Sequence, residues 1–513
     1  MSSPIQKRQR FMGDILPCRI AAWFLNGHIQ RCYPGRAARE LKWGYLFTSR
    51  VIIPGVKLRW ILILLIVLTL IAAALLLYFQ GAPRLVSTEP APEASNLPAG
   101  EALRLTFSSP MDADSVTQRL SIEPEQAGEF TWEGNILTFT PSQPWPNNQV
   151  VTASLSPGAR AATFPRLSIR QPNSWRFTVG PPRLAYLYPW NGPAELYLLD
   201  LASGESEQLS DSPAAILDYD SNLTGTRFYF SVDQGDGGSA IYTLEHLTGE
   251  QNILLECPGA LCRYLQVSPT VDYLAYERTA LSSSEGPNYP QVWLLPLAGG
   301  PGEPALAAQP DHQTRQPQWT PDGQLSYYDF TLAEFISKNL DSGETVHIPS
   351  QTGIPGSWHP DGSSYVFPEI FASTPSAIPD LEILPSSHLL QFHLSDSSLQ
   401  DLTAKDKLDD ASPVFAPDGS SIVFARRQLD IAHWTPGRQI WLMAPDGSNP
   451  RQLTQAPYHN HYDFAWSPDS SLLAYSRFNK DVLTEPPEIW LISADGLGNR
   501  LLWVGGYATH WVP

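Results

Sequence analysis

The sequence predicts an all-β protein: a small β-sandwich and a β-propeller of seven blades, or six, preceded by one transmembrane helix. Three observations carry this. An apolar phrase of the form x-Leu-Ala-Tyr recurs seven times after residue 182, at intervals of 40–57 residues. Pro (48), Trp (16), Tyr (20) and Phe (20) are abundant while charged residues make up only 16%, which favours many short strands over a helical bundle. One apolar run, Trp60–Phe79, stands apart from the rest. The length, 513 residues, fits one repeat domain plus a smaller one. Apolar residues at 42% exclude a wholly disordered chain, and a net charge of −18 argues against a nucleic-acid binder.

Residues 1–57 form a basic N-terminal segment with no motif of readable chemistry. Residues 58–80 read as the transmembrane helix. WILILLIVLTLIAAALLLYF holds no charge, and 20 residues at 1.5 Å each span about 30 Å, the thickness of a hydrocarbon core. Trp60 and Tyr78 stand near its ends, where interfacial aromatics sit. Eleven of the 33 Lys and Arg residues precede Trp60 and only Asp14 and Glu40 oppose them. The positive-inside rule then gives a single-pass protein of the cytoplasmic membrane, N-terminus inside and C-terminal domains outside, with the lipid bilayer as one partner. The remainder keeps 22 basic and 49 acidic residues, net −27. A cleaved signal peptide fits less well, because the basic lead is long and the apolar run exceeds the usual length of about 7–15 residues. Cys18 and Cys32 fall on the reducing side as free thiols. Cys257 and Cys262 frame CPGALC on the oxidising side and make a candidate local disulfide.

Residues 85–180 alternate polar and apolar positions in short runs bounded by Pro, Gly and Asn: ALRLTF at Ala102, NILTFT at Asn135, WRFTV at Trp175. That is the pattern of half-buried sandwich strands. The phrases FSSPMD (Phe107–Asp112), TFTPSQPW (Thr138–Trp145) and WRFTV resemble the bacterial Ig-like domain of the S-layer-protein (SbsA-like) type. The resemblance implies an Ig-like β-sandwich that serves as a structural or adhesive spacer without catalytic residues.

Residues 182–513 carry the repeat: RLAYLY (Arg183), RFYFSV (Arg227), YLAYER (Tyr273), QLSYYD (Gln324), SYVFPE (Ser364), SIVFAR (Ser421) and LLAYSR (Leu472). A turn phrase precedes most copies. Its Pro321-Asp322-Gly323, Pro360-Asp361-Gly362, Pro417-Asp418-Gly419 and Pro468-Asp469 make a tight hairpin: Pro fixes φ, Asp caps the turn and Gly takes the left-handed position. A second apolar strand and a further turn follow, so each unit is four strands, and four strands in 40–50 residues make a propeller blade. The first copy lacks an upstream turn strand. The C-terminal ATHWVP places Trp511 and Pro513 as in WTPDG, so this strand is expected to complete the first blade and close the ring. The units resemble the TolB-like (WD-repeat-like, "SPDG") propellers of bacterial envelope proteins, which implies a protein-binding platform. Some relatives of that kind adjoin a peptidase domain or hold a metal-dependent lyase site in the channel.

The motifs of catalysis are missing: the sequence contains no GxSxG, HExxH, Walker loop or paired CxxC. The formal GxGxxA of Gly235, Gly237 and Ala240 lies between two strands and reads as a hairpin loop. His459, His461 and Asp463 in HNHYD, together with His312, His359 and His510, are placed at blade starts near the axis. His359, His459, His461 and His510 are weak metal candidates, and solvated loop histidines are the simpler reading. The leading expectation is therefore a membrane-anchored extracytoplasmic scaffold whose propeller binds a protein or cell-envelope polymer. It has no cofactor, no catalytic residue and no nucleic-acid partner. The alternative is a metal-dependent lyase or hydrolase with its site in the propeller channel.

Overall fold

The computed structural model describes residues 58–512, apart from 96, 236, 283, 301, 372–384, 406 and 431. Cys18, Cys32 and Pro513 lie outside the described residues. Leu58–Gln80 is α-helical, with its side chains described over 60–73. Among the described residues no helix is long and apolar enough to cross a membrane. This overturns the single-pass anchor expected from the sequence. The N-in orientation and the cytoplasmic-membrane localisation fall with it.

Seven strands between Leu85 and Thr178 form two antiparallel sheets. One orders Leu85–Glu89, Leu103–Phe107, Ile136–Pro141 and Gly128–Glu133. The other orders Leu120–Glu123, Val150–Leu155 and Asn173–Thr178. Period-two alternation drives Leu103, Leu105, Phe107, Leu137, Phe139, Val151, Ala153, Trp175 and Phe177 into the space between them. The Pro-Met-Asp phrase has a local cause. Met111 is buried, and the Asp112 carboxylate accepts the Ser115 N–H (3.0 Å) to cap the short helix Ala113–Thr117.

From Arg183 to Val512 the described chain forms seven four-stranded antiparallel blades. Their inner strands (a) are Tyr507–Val512, Ile216–Ser221, Ala260–Val267, Thr314–Trp319, Ser357–Trp358, Leu408–Phe415 and His459–Trp466, for blades 1 to 7 in turn. In six blades strands b, c and d follow strand a. In blade 1 strand a comes from the far end of the chain and pairs with Arg183–Tyr188 in the register Trp511↔Leu184 and Val512↔Arg183. Leu184, Tyr186 and Leu199 of blade 1 then share a core with Ala474, Ile489 and Leu491 of blade 7 and with Trp511. This packing closes the ring. Blades 5 and 6 have one extra link, a parallel bridge between Ser387 and Asp409.

The a–b turns explain the Pro-Asp-Gly spacing. The Thr320, His359 and Ala416 carbonyls accept the N–H of Gly323, Gly362 and Gly419 (2.8–2.9 Å). Gly323 has φ +81° with open space where a Cβ would point. Asp361 and Asp418 accept the N–H two residues on, from Ser363 and Ser420 (2.8 and 2.9 Å). Those serines hold both carboxyls below the usual range, Asp361 at about 2. The charge of each Asp thus serves its own turn. The sandwich meets the ring on this turn face: a Cβ on Gly100 would lie 2.0 Å from the carbonyl oxygen of Thr224, in the a–b turn of blade 2.

Candidate functional site

The inner strands line the axis, and they share a defect. Ladder register slips within strand a of blades 1, 2, 3, 4, 6 and 7. In five of these the bulged residue has positive φ without being glycine: Ala508, Tyr264, Gln316, Ser412 and Asp463 (52–58°). A bulge bends the strand and frees backbone groups from the ladder. Here buried and half-buried side chains of the preceding blade take up several of the N–H groups around it. Asp218 accepts from Leu265 N–H (2.6 Å), Asp220 from Val267 N–H (2.8 Å), Glu277 from Gln316 N–H and Asp463 from Thr509 N–H (2.8 Å). Burial pushes Asp218, Asp220 and Glu277 up to about 7 and raises Asp463 as well.

A second set of bonds joins blades through the tryptophans that end strand a. The indole N–H of Trp511 donates to the Ala465 carbonyl (2.8 Å), that of Trp319 to Gln266 (3.0 Å) and that of Trp466 to Val414 (3.4 Å). Cys257 and Cys262 form a disulfide between the last strand of blade 2 and the first of blade 3. Both cysteines are buried.

The histidines do not assemble. His459 and His461 lie within strand a of blade 7, paired with Asn479 and Arg477, not in a loop before it. The ladder starts earlier than the sequence reading placed it. His461 is buried, its Nδ1 bonds the Arg438 carbonyl (2.7 Å), and burial lowers it to about 4. His510 lies inside strand a of blade 1, opposite Ala185 and edge-on to Tyr219, and burial depresses it too. His359 sits after its strand, in an a–b turn bonded to Asp361 (2.6 Å), so it lies at the opposite end of strand a from His459. The phrase WHPDG made that turn legible, and the blade-start position assigned to His359 is corrected. His312 pairs with the buried Asp329 (2.6 Å). Among the described residues no three His, Cys, Asp or Glu side chains come together to hold a metal ion.

The sequence reading missed a cluster on the blade-start face, where strands a and c begin. A cleft of about 560 Å³ opens between blades 5 and 6. On its floor Asp409 accepts from Arg427 through Nη2 (2.7 Å) and Nε (3.1 Å), and from Arg438 through Nη2 (2.9 Å). Beside it the buried Asp410 holds Arg426 bidentately (2.7 and 2.8 Å), and the Arg426 guanidinium lies over Phe424 and Trp441. Burial raises the Asp410 carboxyl against the pull of Arg426. The signal was present in the sequence. Asp409-Asp410 opens one strand and Arg426-Arg427 ends the next, a cross-strand charge match that antiparallel pairing places face to face.

With this geometry in place, comparison with known proteins adds the following. Residues 80–179 match the bacterial Ig-like domain family. The match is to that family at large and carries no S-layer specificity. No curated protein sequence matches the chain. Among solved structures, the chain is similar in fold to a TolB from Agrobacterium tumefaciens (15% identity, 64% of this chain and 92% of that one, TM-score 0.37). A TolB from Acinetobacter baumannii is also similar (12%, 77% and 83%, TM-score 0.40). So is the propeller domain of the Trilobed protease from Pyrococcus furiosus (8%, 70% and 93%, TM-score 0.43).

Proposed function

We propose that the chain is a binding or scaffold protein: the Ig-like domain is a spacer, and the propeller offers its blade-start face to a protein or cell-envelope polymer. The observation that carries this reading is the placement of the sandwich. Gly100 abuts the a–b turn of blade 2, so the spacer adjoins the turn face and the blade-start face lies at the other end of the inner strands. The interior polar groups favour the same reading. The carboxylates of Asp218, Asp220, Glu277 and Asp463, the tryptophan indoles and the disulfide each bond a neighbouring blade. Such bonds make a rigid platform, and rigid platforms bind without a large ordering cost.

The test is a photo-crosslinking amino acid placed at exposed Tyr458 on the blade-start face or at Asp418 on the turn face of the full-length chain, with irradiation in envelope extracts. A defined adduct from position 458 and none from 418 is expected. Equal labelling from both faces, or adducts only between copies of the chain, would overturn the reading.

A further inference from the structure

We propose that the cleft between blades 5 and 6 is a binding site for a monocarboxylate carried on an apolar or aromatic body, such as a free arylalkanoic acid or the carboxy terminus of a peptide ending in an apolar residue. This rests on the binding reading above and names a ligand chemistry for the same face.

The argument starts from charge. Asp410 and Arg426 neutralise one another in a buried bidentate pair. Asp409 is then shared by two guanidiniums, Arg427 and Arg438, which leaves one excess positive charge on the floor. Arg438 gives Asp409 only Nη2, and its side chain stays 32% exposed where it lines the cleft. A guanidinium fork fits a carboxylate.

The field of the whole chain narrows the choice. A molecule of net charge −18 repels polyanions, so a single negative charge meets the local cation at least long-range cost. The walls supply the rest. Trp434 and Ile370 line the cleft and are 50% and 48% exposed, with Leu429 beside them. Exposed large apolar side chains around convergent polar groups are the anatomy of a small-ligand pocket, and the volume lies in the range for one. The ligand's carboxylate would meet Arg438 and Arg427 while its apolar body covers Trp434 and Ile370.

The experiment uses the full-length chain and three probes: 3-phenylpropionate, the peptide acetyl-Leu-Phe with a free carboxylate, and the same peptide as its carboxamide. Binding is read by calorimetry and by Trp434-dependent fluorescence change. Both acids are expected to bind, and the carboxamide at least tenfold more weakly, as the loss of one charge-assisted bond implies. Arg438→Gln should weaken the acids about tenfold and leave the carboxamide unchanged. Trp434→Ala, at a half-exposed position, should weaken all three. A tighter peptide than phenylpropionate assigns the site to a chain terminus, and the reverse assigns it to a small acid. Equal binding of acid and carboxamide, or no binding of either acid at millimolar concentration by folded protein, overturns the proposal. A blade-start adduct without acid binding would retire this inference alone. Acid binding without any adduct would retire the scaffold reading alone.

Discussion

Trp511 is where the closure of the ring can be tested by a single substitution. Its indole donates to the Ala465 carbonyl at 2.8 Å, and the residue is 7% exposed in the core shared by blades 1 and 7. Trp511→Phe keeps an aromatic ring there and deletes the donor. Leaving a buried carbonyl without that partner costs about 1–3 kcal/mol. The lost second ring removes on the order of 40 Å² of buried apolar surface, about 1 kcal/mol at 25 cal/mol/Å². The sum, about 2–4 kcal/mol, is a large part of the roughly 5–15 kcal/mol that holds a domain folded. Urea unfolding followed by far-UV circular dichroism reads the total. Hydrogen exchange over Leu184–Leu199 and Ile489–Leu491 reads the location. The same change at Trp319 and Trp466, whose bonds are 3.0 and 3.4 Å, should cost progressively less. A Trp511→Phe effect under about 0.5 kcal/mol, or protection lost equally in blades 3 and 4, would refute the latch.

Three further outcomes follow from the same structure. The folded-state values of Asp218, Asp220 and Glu277 are raised to about 7, so the folded protein binds protons that the unfolded chain releases near pH 4. Their contribution is present at low pH and lost as pH rises through 7. Below about 6.5 the buried His461, lowered to about 4, acts in the opposite sense, so the window to read is pH 6.5–8. The urea midpoint should fall across it, and fall less in Asp218→Asn, which retains an acceptor for Leu265. A midpoint that rises across this window contradicts the assignment. Replacing both Cys257 and Cys262 with Ala should cost about 2 kcal/mol by the chain-entropy estimate for so short a loop, measured against wild type in matched non-reducing urea titrations. Gly323→Ala meets open space but a left-handed backbone and should lower stability by about 1–2 kcal/mol, visible as a lower thermal midpoint.

Several features were legible before any fold was known because they are local. The Pro-Asp-Gly turns depend on φ preferences of three consecutive residues, and Gly323, Gly362 and Gly419 hold the left-handed position those phrases demand. The alternation in LRLTF and WRFTV reports a half-buried sheet wherever it occurs, and those side chains form the sandwich core. The apolar stretch at Trp60 is equally local, yet the expectation built on it failed against the described helix. The histidines misled for another reason. Residues two apart share one face of a strand, but His459 stands at the open start of its strand and stays half-exposed, while His461, two residues further in, is buried.

The sequence by itself determined the kind of building unit and left the blade count at seven or six. Period, turn chemistry and aromatic strands are written into each unit and act over a few residues. The tertiary structure decided how the units hold one another and where a ligand fits. The bonds that join blades run from Asp218 to Leu265, from Asp463 to Thr509 and from Trp511 to Ala465. Each links residues 46 or 47 positions apart, one blade away. The cleft on Asp409 needs Arg427 from strand b and Arg438 from the start of strand c of blade 6, beside Ile370 of blade 5. No local pattern specifies such contacts. They exist because closing the ring brings separate strands to one end of the axis, where burial makes every unpaired charge seek a partner.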